Sequence, residues 1–340
     1  MKKGISVIVC CYNSATRLPE TLKHLLQQKT IGIDWEIIVV DNASTDNTYE
    51  LSLQMLSAKL DPKNFKVVKE QEPGLINARK KGFSVCSYEY LLFCDDDNWM
   101  EQNYLQLGFS FMESNPNIAI LGGWGTAAFE NIKPAWFDKY EENFAVGLQT
   151  DKKEGLAKVD AVYGAGFIAR RRLFDELDAL GFKSLLSGRK GDKVTSGEDT
   201  ELCLMARFLG YDIYATQQLK FKHLMTDGRM NWNYMKKLHR GFGRARVYLN
   251  AYRYMQTAEN PPGANLRYPL WFDKLINLLK EINVFSLKVI LGGGGEENDE
   301  ELKFEAYKGE ISELWKLKDN YAAIFETIRS LKQRIAVMKK

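Results

Sequence analysis

Three consecutive carboxylates, Asp95, Asp96 and Asp97, follow directly on the apolar run YLLFC, with Trp99 close behind. Like charges at that spacing repel one another, so the run calls for a compensating positive charge. One Asp or its neighbour can be spent as a helix cap: Asp97 or Asn98 stands before WMEQNYLQLGFSFM, a predicted helix. A cap uses one side chain, not three. A hard divalent cation, Mg²⁺ or Mn²⁺, typically takes one or two carboxylates together with substrate phosphate oxygens, which accounts for the crowding. A second acidic pair, Glu198 and Asp199 in SGEDTEL, opens the predicted helix TELCLMARFLG, where acids interact favourably with the helix dipole. Of the three histidines, His223 follows the strand-like YDIYATQQLKFKH, while His24 sits on a helix of ordinary amphipathic pattern and His239 in a basic segment.

These residues need a scaffold, and the pattern around them supplies one. ISVIVCC (5–11) is a continuous apolar run, and TRLPETLKHLLQQK (16–29) puts Leu18, Leu22, Leu25 and Leu26 on one helical face. The alternation repeats: WEIIVVD (35–41) is a strand, TDNTYELSLQMLSAKL (45–60) a helix capped by Thr45 or Asp46, and FKVVKE (65–70) a strand. GLINARKKGFSVC (74–86) then reads as a helix and YEYLLFCD (88–95) as a fourth strand. Strands apolar on both faces, alternating with amphipathic helices, predict an α/β fold: a mainly parallel, Rossmann-like central sheet flanked by helices. Ligands of such sheets bind beyond the carboxyl ends of the strands. The turns CYNS, DNAS and DDDN fall at three of those ends, so one crevice would collect them.

Past residue 118 the sequence mixes short strands and helices, including the glycine-rich LGGWG and YGAGFIARR and the polar loop SGRKGDKVTSGED. From about 228 helix formers dominate. This divides the chain into a predicted ligand-binding and catalytic domain, 1–228, and a mostly helical C-terminal region, 229–340. Within the latter, PPGANLRYP (261–269) is a breaker and GGGGEENDEE (292–301) a linker. Apolar residues from Ile311 to Ile335 recur at three- and four-residue steps, predicting one long amphipathic helix.

Composition narrows the function. A net charge of +3, from 47 basic and 44 acidic residues, argues against nucleic acid as the main partner. Five cysteines with no CxxC pair, mostly inside apolar runs, read as reduced and buried, which favours a cytoplasmic setting. The N-terminal apolar run is short, β-branched and followed by polar YNS, so it reads as a first strand rather than a signal peptide. No run reaches the ~18 apolar residues that span a bilayer.

VIVCCYNSATRLPETL, EIIVVDNASTDNT, EPGLINARKKG, YLLFCDDDNWM and SGEDTEL, in that order, resemble a family-2 glycosyltransferase over about residues 4–225. The resemblance implies a nucleotide-diphospho-sugar-binding domain and a metal-dependent, inverting sugar transfer, with Mn²⁺ or Mg²⁺ as cofactor. It implies that Asp41 accepts a hydrogen bond from the nucleotide base and that Tyr12 packs on that base. Arg79 would face the ribose and diphosphate, a task suited to a planar fork of donors. Asp95 and Asp97 fit the family's D-x-D pattern, with Asp97 on the metal and Asp95 or Asp96 toward the ribose. His223 would be a late metal ligand. Asp199 matches the catalytic base, and Glu198 would orient the base or the acceptor. Trp124 and Trp136 are candidates to stack on sugar rings. Cys10 and Cys11 stand where the family commonly has a proline and a small hydroxyl residue.

The expected partners are a nucleotide-sugar donor, with UDP as the nucleotide, and a glycan or lipid-linked glycan acceptor of cell-surface polysaccharide synthesis. MNWNYMKKLHRGFGRARVYLNAYRYM and LWFDKLINLLKEINVFSLKVIL mix apolar or aromatic residues with Lys and Arg. They leave open peripheral association with the inner face of the membrane, or homo-oligomerisation through the C-terminal helices. A non-catalytic nucleotide-sugar-binding or scaffold protein is the competing expectation. It predicts a missing base, whereas Asp199 is present in its expected context. A nucleotidyltransferase or a dinucleotide-dependent dehydrogenase would want a glycine-rich loop after the first strand, and CYNSATRLPE offers none.

Overall fold

The computed structural model describes residues 2–157, 161–186, 196–257, 270–291 and 298–339, with side chains of the fourth stretch described up to 282. Residues 187–195 of the polar loop, the breaker 261–269 and residues 292–297 of the expected linker lie outside the described residues. The chain divides into two compact units: Met1–Ala179 with Met205–Asp227, and Leu180–Leu204 with Gly228–Lys340.

The first unit opens with the expected alternation: β1 (Lys2–Cys11), α1 (Leu18–Leu26), β2 (Trp35–Asn42), α2 (Thr48–Ser57), β3 (Phe65–Glu70), α3 (Leu75–Val85) and β4 (Tyr88–Asp95). There follow β5 (Asn98–Met100), α4 (Tyr104–Ser114), β6 (Ile118–Phe129), the single turn α5 (Phe137–Tyr140), β7 (Glu154–Leu156), β8 (Ile168–Arg170) and α6 (Arg171–Ala179). Helix α7 (Glu198–Phe208) leads into β9 (Asp212–Met225). The sheet order is β3-β2-β1-β4-β8-β6-β9-β5, with β7 pairing β9. Strands β1 to β4 are mutually parallel. Because β8 is antiparallel to both β4 and β6, the strand β6 and its parallel partner β9 run with β4. The sheet is therefore mainly parallel, as the two-faced apolar strands require.

One core cluster fills the face that carries α1 and α4: Val7, Val9, Leu22, Leu92, Tyr104 and Leu121 meet there, all buried. On the opposite face α3 lies close to the sheet, because Gly82 leaves room where a Cβ would overlap Ile8. Four of the five thiols are buried and all are unoxidised.

The expected helix from Trp99 needs correction. Asn98–Met100 is a strand, paired antiparallel with Phe221–His223 of β9, and the helix begins only at Tyr104. Neither Asp97 nor Asn98 caps it; Asn103 occupies that position. Trp99 instead stacks on His24 of α1, ring centroids 5.9 Å apart. Pairing with a distant strand overrides the local helical period. The expected α2 also shortens at both ends, with Asp46 accepting from the Thr48 backbone N–H at 3.1 Å just ahead of it.

The second unit contains α8 (Trp232–Thr257), α9 (Trp271–Leu291), α10 (Asp299–Lys316) and α11 (Tyr321–Met338). Here too the sequence reading is corrected. The single long helix is two, broken at residues 317–320, where Asp319 and Asn320 favour a turn. The apolar stripe continues in phase across the break, so periodicity hid it. The end of the expected linker is ordered as a cap: the Asn298 side chain accepts from the Glu301 N–H at 2.9 Å.

Helices α8 and α10 cross at two glycines. A Cβ on Gly243 would overlap the Ala306 carbonyl, and one on Gly309 the Arg240 carbonyl. Close approach lets Arg240 reach Glu305 at 2.5 Å and Tyr248 reach Glu313 at 2.7 Å. We expect Gly309→Ala to destabilise this unit by about 2–3 kcal/mol through backbone overlap. Urea unfolding of the full chain checks this; an unchanged midpoint would refute the contact.

Candidate active site

The strand register brings the acidic turns together. Cys10 pairs with Asp95 across β1–β4 and Cys11 with Asp41 across β1–β2, so the ends of three parallel strands form one row. The loops are knitted to one another. Asn13, in the left-handed region at φ 47°, accepts from the Thr45 N–H at 2.8 Å, and its own N–H donates to Ser44. Asn42 accepts from the Gly74 N–H at 2.8 Å and donates to the Glu72 carbonyl at 2.7 Å, tying the EPG loop to β2. Gly74 is at φ 138°, a conformation open to glycine, and this bond holds the start of α3.

Asp41 is 5% exposed, and its Oδ1 has no hydrogen-bond partner. A buried carboxylate oxygen left in that state costs free energy unless a donor arrives. Tyr12, just past β1, is half exposed at 52%, presenting its ring at the same strand ends. Arg79 of α3 lies over Phe93 and Phe167, 5.6 and 5.7 Å from the ring centroids. Its charge reaches Cys10, where it opposes the burial that raises that thiol to about 12. Cys10 is therefore a neutral wall.

The three acids occupy three different environments. Asp95 is half-buried, its backbone N–H donating to Asn98 Oδ1 at 3.3 Å. Asp96 is turned into the protein: Ser14 donates to it, Arg17 donates at 2.7 Å, and Thr21 donates to its carbonyl at 2.8 Å. Burial and the nearby Asp97 raise its pKa, with Arg17 and Ser14 opposing. Asp97, 1% exposed, accepts from the Asn98 amide at 3.1 Å, and its Oδ1 lies 3.4 Å from His223 Nε2. His223 is brought there by the β5–β9 ladder, which pairs it with Asn98. Its Nδ1 faces the Phe144 carbonyl at 2.7 Å, and a carbonyl can only accept, so Nδ1 carries a hydrogen. In the neutral ring Nε2 then offers a lone pair toward Asp97. Two electron-rich atoms so placed call for a proton or a metal ion to share.

That pair fits a divalent cation that also takes substrate oxygens, being one carboxylate and one imidazole whose other nitrogen is fixed by a backbone carbonyl. Among the described residues no group of three or more His, Cys, Asp or Glu gathers to hold a metal unaided. Trp136 packs on Phe144 and Phe137, at 6.2 and 6.3 Å, in the aromatic cluster behind that carbonyl. Trp124 lies on β6 beside Lys220, whose ammonium is 5.8 Å from the ring centroid.

Glu198 and Asp199 belong to the second unit, in the first turn of α7. Gly197, at φ 105°, makes the entry to that turn and packs close to Ala245 of α8. The helix is anchored by Glu201, which is buried and accepts from Leu185 N–H at 2.8 Å, Tyr252 at 2.7 Å and the Ser184 hydroxyl. Burial pushes Glu201 upward while these donors oppose it. Sequence reasoning passed over Glu201, Ser14, Arg17 and Phe144. Only Glu201 left a trace: it stands in line with Leu204 and Met205, an acid on an apolar stripe.

The pattern described as Glycosyl transferase family 2 matches residues 6–178, which contain most of β1, all of β2 to β4 and the acidic row. Glycosyltransferase GlyA of Streptococcus pneumoniae is 25% identical over 180 residues, 51% of this chain and 25% of GlyA. Poly(ribitol-phosphate) beta-N-acetylglucosaminyltransferase TarP of Staphylococcus aureus is 27% identical over 138 residues, 40% of this chain and 42% of TarP. The matches thus span between a quarter and less than half of these relatives' length. In fold, the crystal structure of S. aureus TarS 1-349 in complex with UDP-GlcNAc aligns with a TM-score of 0.52 at 16% identity, covering 94% of this chain and 92% of that one. With the family pattern extending over half of its length, this chain belongs to glycosyl transferase family 2.

Proposed function

We propose that this protein transfers a sugar from a nucleotide-diphosphate donor, a UDP-sugar, to a hydroxyl of a glycan acceptor in cell-surface polysaccharide synthesis, with inversion at the anomeric carbon. The observation that carries the reading is the buried, unpartnered Oδ1 of Asp41 at the end of β2. An acceptor in that place suits the imide N–H of a uracil, with the exposed ring of Tyr12 as the stacking surface. UDP-N-acetylglucosamine is the donor to try first: TarS was crystallised with it, and TarP is named as a beta-N-acetylglucosaminyltransferase.

In this reading Asp97 and His223 would hold a divalent cation, Mn²⁺ or Mg²⁺, which would supply positive charge against the departing diphosphate. Arg79 adds fixed positive charge along that leaving group, and Asp95 is directed at the ribose. Asp96 is spent on holding the loops: its bonds to Ser14 and Arg17 keep the turn after β1 against the turn after β4. Asp199 takes the acceptor proton as the hydroxyl oxygen bonds to the anomeric carbon and the carbon–oxygen bond to diphosphate breaks, its electron pair leaving with the diphosphate. One displacement by one base inverts the configuration. Glu198 orients the acceptor beside that base.

Among the described residues no helix is long and apolar enough to cross a membrane. Exposed Leu270, Phe272 and Leu279, with Trp315, support a peripheral position on the inner face of the cell membrane.

Thermal shift of the full chain with UDP and Mn²⁺ tests the donor reading. At a hundredfold excess over the dissociation constant, binding to the native state adds ~2.7 kcal/mol. Asp41→Leu should remove most of that gain for UDP while leaving the unliganded melting temperature near or above the wild type, since it buries no unpaired oxygen. Equal gains in both proteins would overturn the role given to Asp41.

A further inference from the structure

We infer that Glu201 is the positioning residue of the base: its buried carboxylate fixes the first turn of α7 and so decides where Asp199 stands, without touching the substrate. This rests on the role given to Asp199 above and adds the residue on which that role depends.

A first helical turn is weak by construction. Its leading N–H groups lack partners within the helix, so it frays unless something outside holds it. Asp199 is the second residue of α7 and stands in that turn. Gly197 leads in at φ 105°, a conformation open to glycine, and its carbonyl accepts the Glu201 N–H at 2.8 Å.

The Glu201 side chain supplies the hold. It is 1% exposed, and each of its oxygens accepts twice. One takes the Leu185 N–H at 2.8 Å and the Tyr252 hydroxyl at 2.7 Å; the other takes the Ser184 hydroxyl and, at 3.5 Å, the Leu186 N–H. Those four donors, all neutral, fill the sites a carboxylate offers. Burying a carboxylate is costly, and an apolar side chain would hold the helix on α8 without that cost. What an apolar contact lacks is direction. Bonds to two backbone N–H groups and two hydroxyls fix the rotation of the turn as well as its depth.

The seat on α8 matches. Ala245, Leu249 and Tyr252, four and three residues apart, share one face of that helix and are buried. A Cβ on Gly197 would lie 3.0 Å from Ala245 and 3.3 Å from Leu249, so the turn rests on α8 at Gly197 and is tied to it at Glu201. Side chains two apart on a helix point ~200° around the axis from each other. With Glu201 drawn inward, Asp199 is turned to the other side, where it is half-buried. Every group in this arrangement belongs to the second unit, whereas Asp41 and Arg79 belong to the first. Loosening the hold should therefore disturb the base and spare donor binding.

The test measures transfer by the full chain from a panel of UDP-sugars in Mn²⁺, with a mixture of bacterial surface oligosaccharides as acceptors and UDP affinity read by calorimetry. Glu201→Gln keeps the shape and sets an amide where Ser184 and Leu186 donate; the Ser184 hydroxyl can turn to the Leu186 carbonyl, 2.7 Å away, so the fold should survive. It should lower kcat about tenfold, and Tyr252→Phe, which removes one donor, about threefold, with UDP affinity and donor KM within about twofold of wild type. In an Asp199→Asn background Glu201→Gln should cost nothing further, because the two act as a unit; a merely structural role would lower both backgrounds alike. Unchanged kcat, an equal loss in both backgrounds, or a loss of UDP affinity in step with kcat overturns the inference while the sugar-transfer reading stands. If Glu201→Gln fails to fold, Tyr252→Phe in the two backgrounds decides by the same outcomes. Absence of transfer by the wild type overturns the sugar-transfer reading and this inference with it.

Discussion

Asp199→Asn should lower sugar transfer by about 10²–10⁴-fold while donor affinity stays within twofold or so of wild type, since loss of a positioned general base costs a factor of that order. The substitution is nearly isosteric and sits in the first turn of α7, where an acid contributes roughly 0.3–1 kcal/mol through the helix dipole. Stability is therefore expected to change little, which separates a chemical role from a structural one. The fold around the residue is held by its neighbour: Glu201 ties the same turn to Tyr252 and to Leu185, and neither bond involves Asp199. Single-turnover transfer from UDP-N-acetylglucosamine, with donor binding measured by calorimetry, reads both quantities. Transfer within tenfold of wild type would remove Asp199 from the chemistry. The scaffold reading would then regain ground, because the protein would bind a donor without using the acid that singles it out as an enzyme.

What could be read from the sequence was whatever depended on local pattern. Strands β1, β2 and β4 announce themselves because each is largely buried on both faces, and a run such as EIIVVD has few other ways to satisfy its backbone and its side chains together. The acidic row was visible for the same reason, since strand ends in a parallel sheet share one edge. Strand β5 was not visible. Three residues carry no period, and Asn98–Met100 is a strand only because β9, more than a hundred residues later, supplies its partner. The roles within the trio were equally hidden. Nothing in DDDN distinguishes Asp96 from Asp97; the distinction comes from Ser14 and Arg17 in one loop and His223 and Phe144 in others. The grouping of residues 180–204 with the C-terminal helices was also out of reach, because it follows from a buried acid meeting Tyr252 fifty-one positions on. Helical period gave the last segment its core face but not its break at Asp319, since a turn that keeps the stripe in phase leaves no mark on it.

Asp97→Asn should abolish the dependence of UDP binding on Mn²⁺ and lower transfer on the order of 10³-fold, the scale of losing a principal stabiliser of charge on the leaving group. The argument starts from the 3.4 Å between Asp97 Oδ1 and His223 Nε2. With Nδ1 committed to the Phe144 carbonyl, that approach is favourable only with a proton or a metal ion to share. An asparagine of the same shape trades one contact for another: its amide N–H can donate to Nε2 but then faces the Asn98 amide that donates to the same oxygen, so the apo protein should stay within about 1 kcal/mol of wild type. Function then falls while stability holds, which a misfolded variant cannot imitate. His223→Ala leaves Asp97 alone and should weaken the Mn²⁺ dependence less severely. In the double variant the two losses should fall well short of adding, because each removes the same ion. Melting temperature with UDP, with and without Mn²⁺, and initial transfer rates across the four proteins supply the cycle. Should UDP raise the melting temperature of Asp97→Asn equally with and without Mn²⁺, and by as much as in wild type, the cation would have to be held elsewhere. Should the double variant lose the full sum of the single effects, Asp97 and His223 would be acting on separate things, and their proximity would be a feature of packing alone.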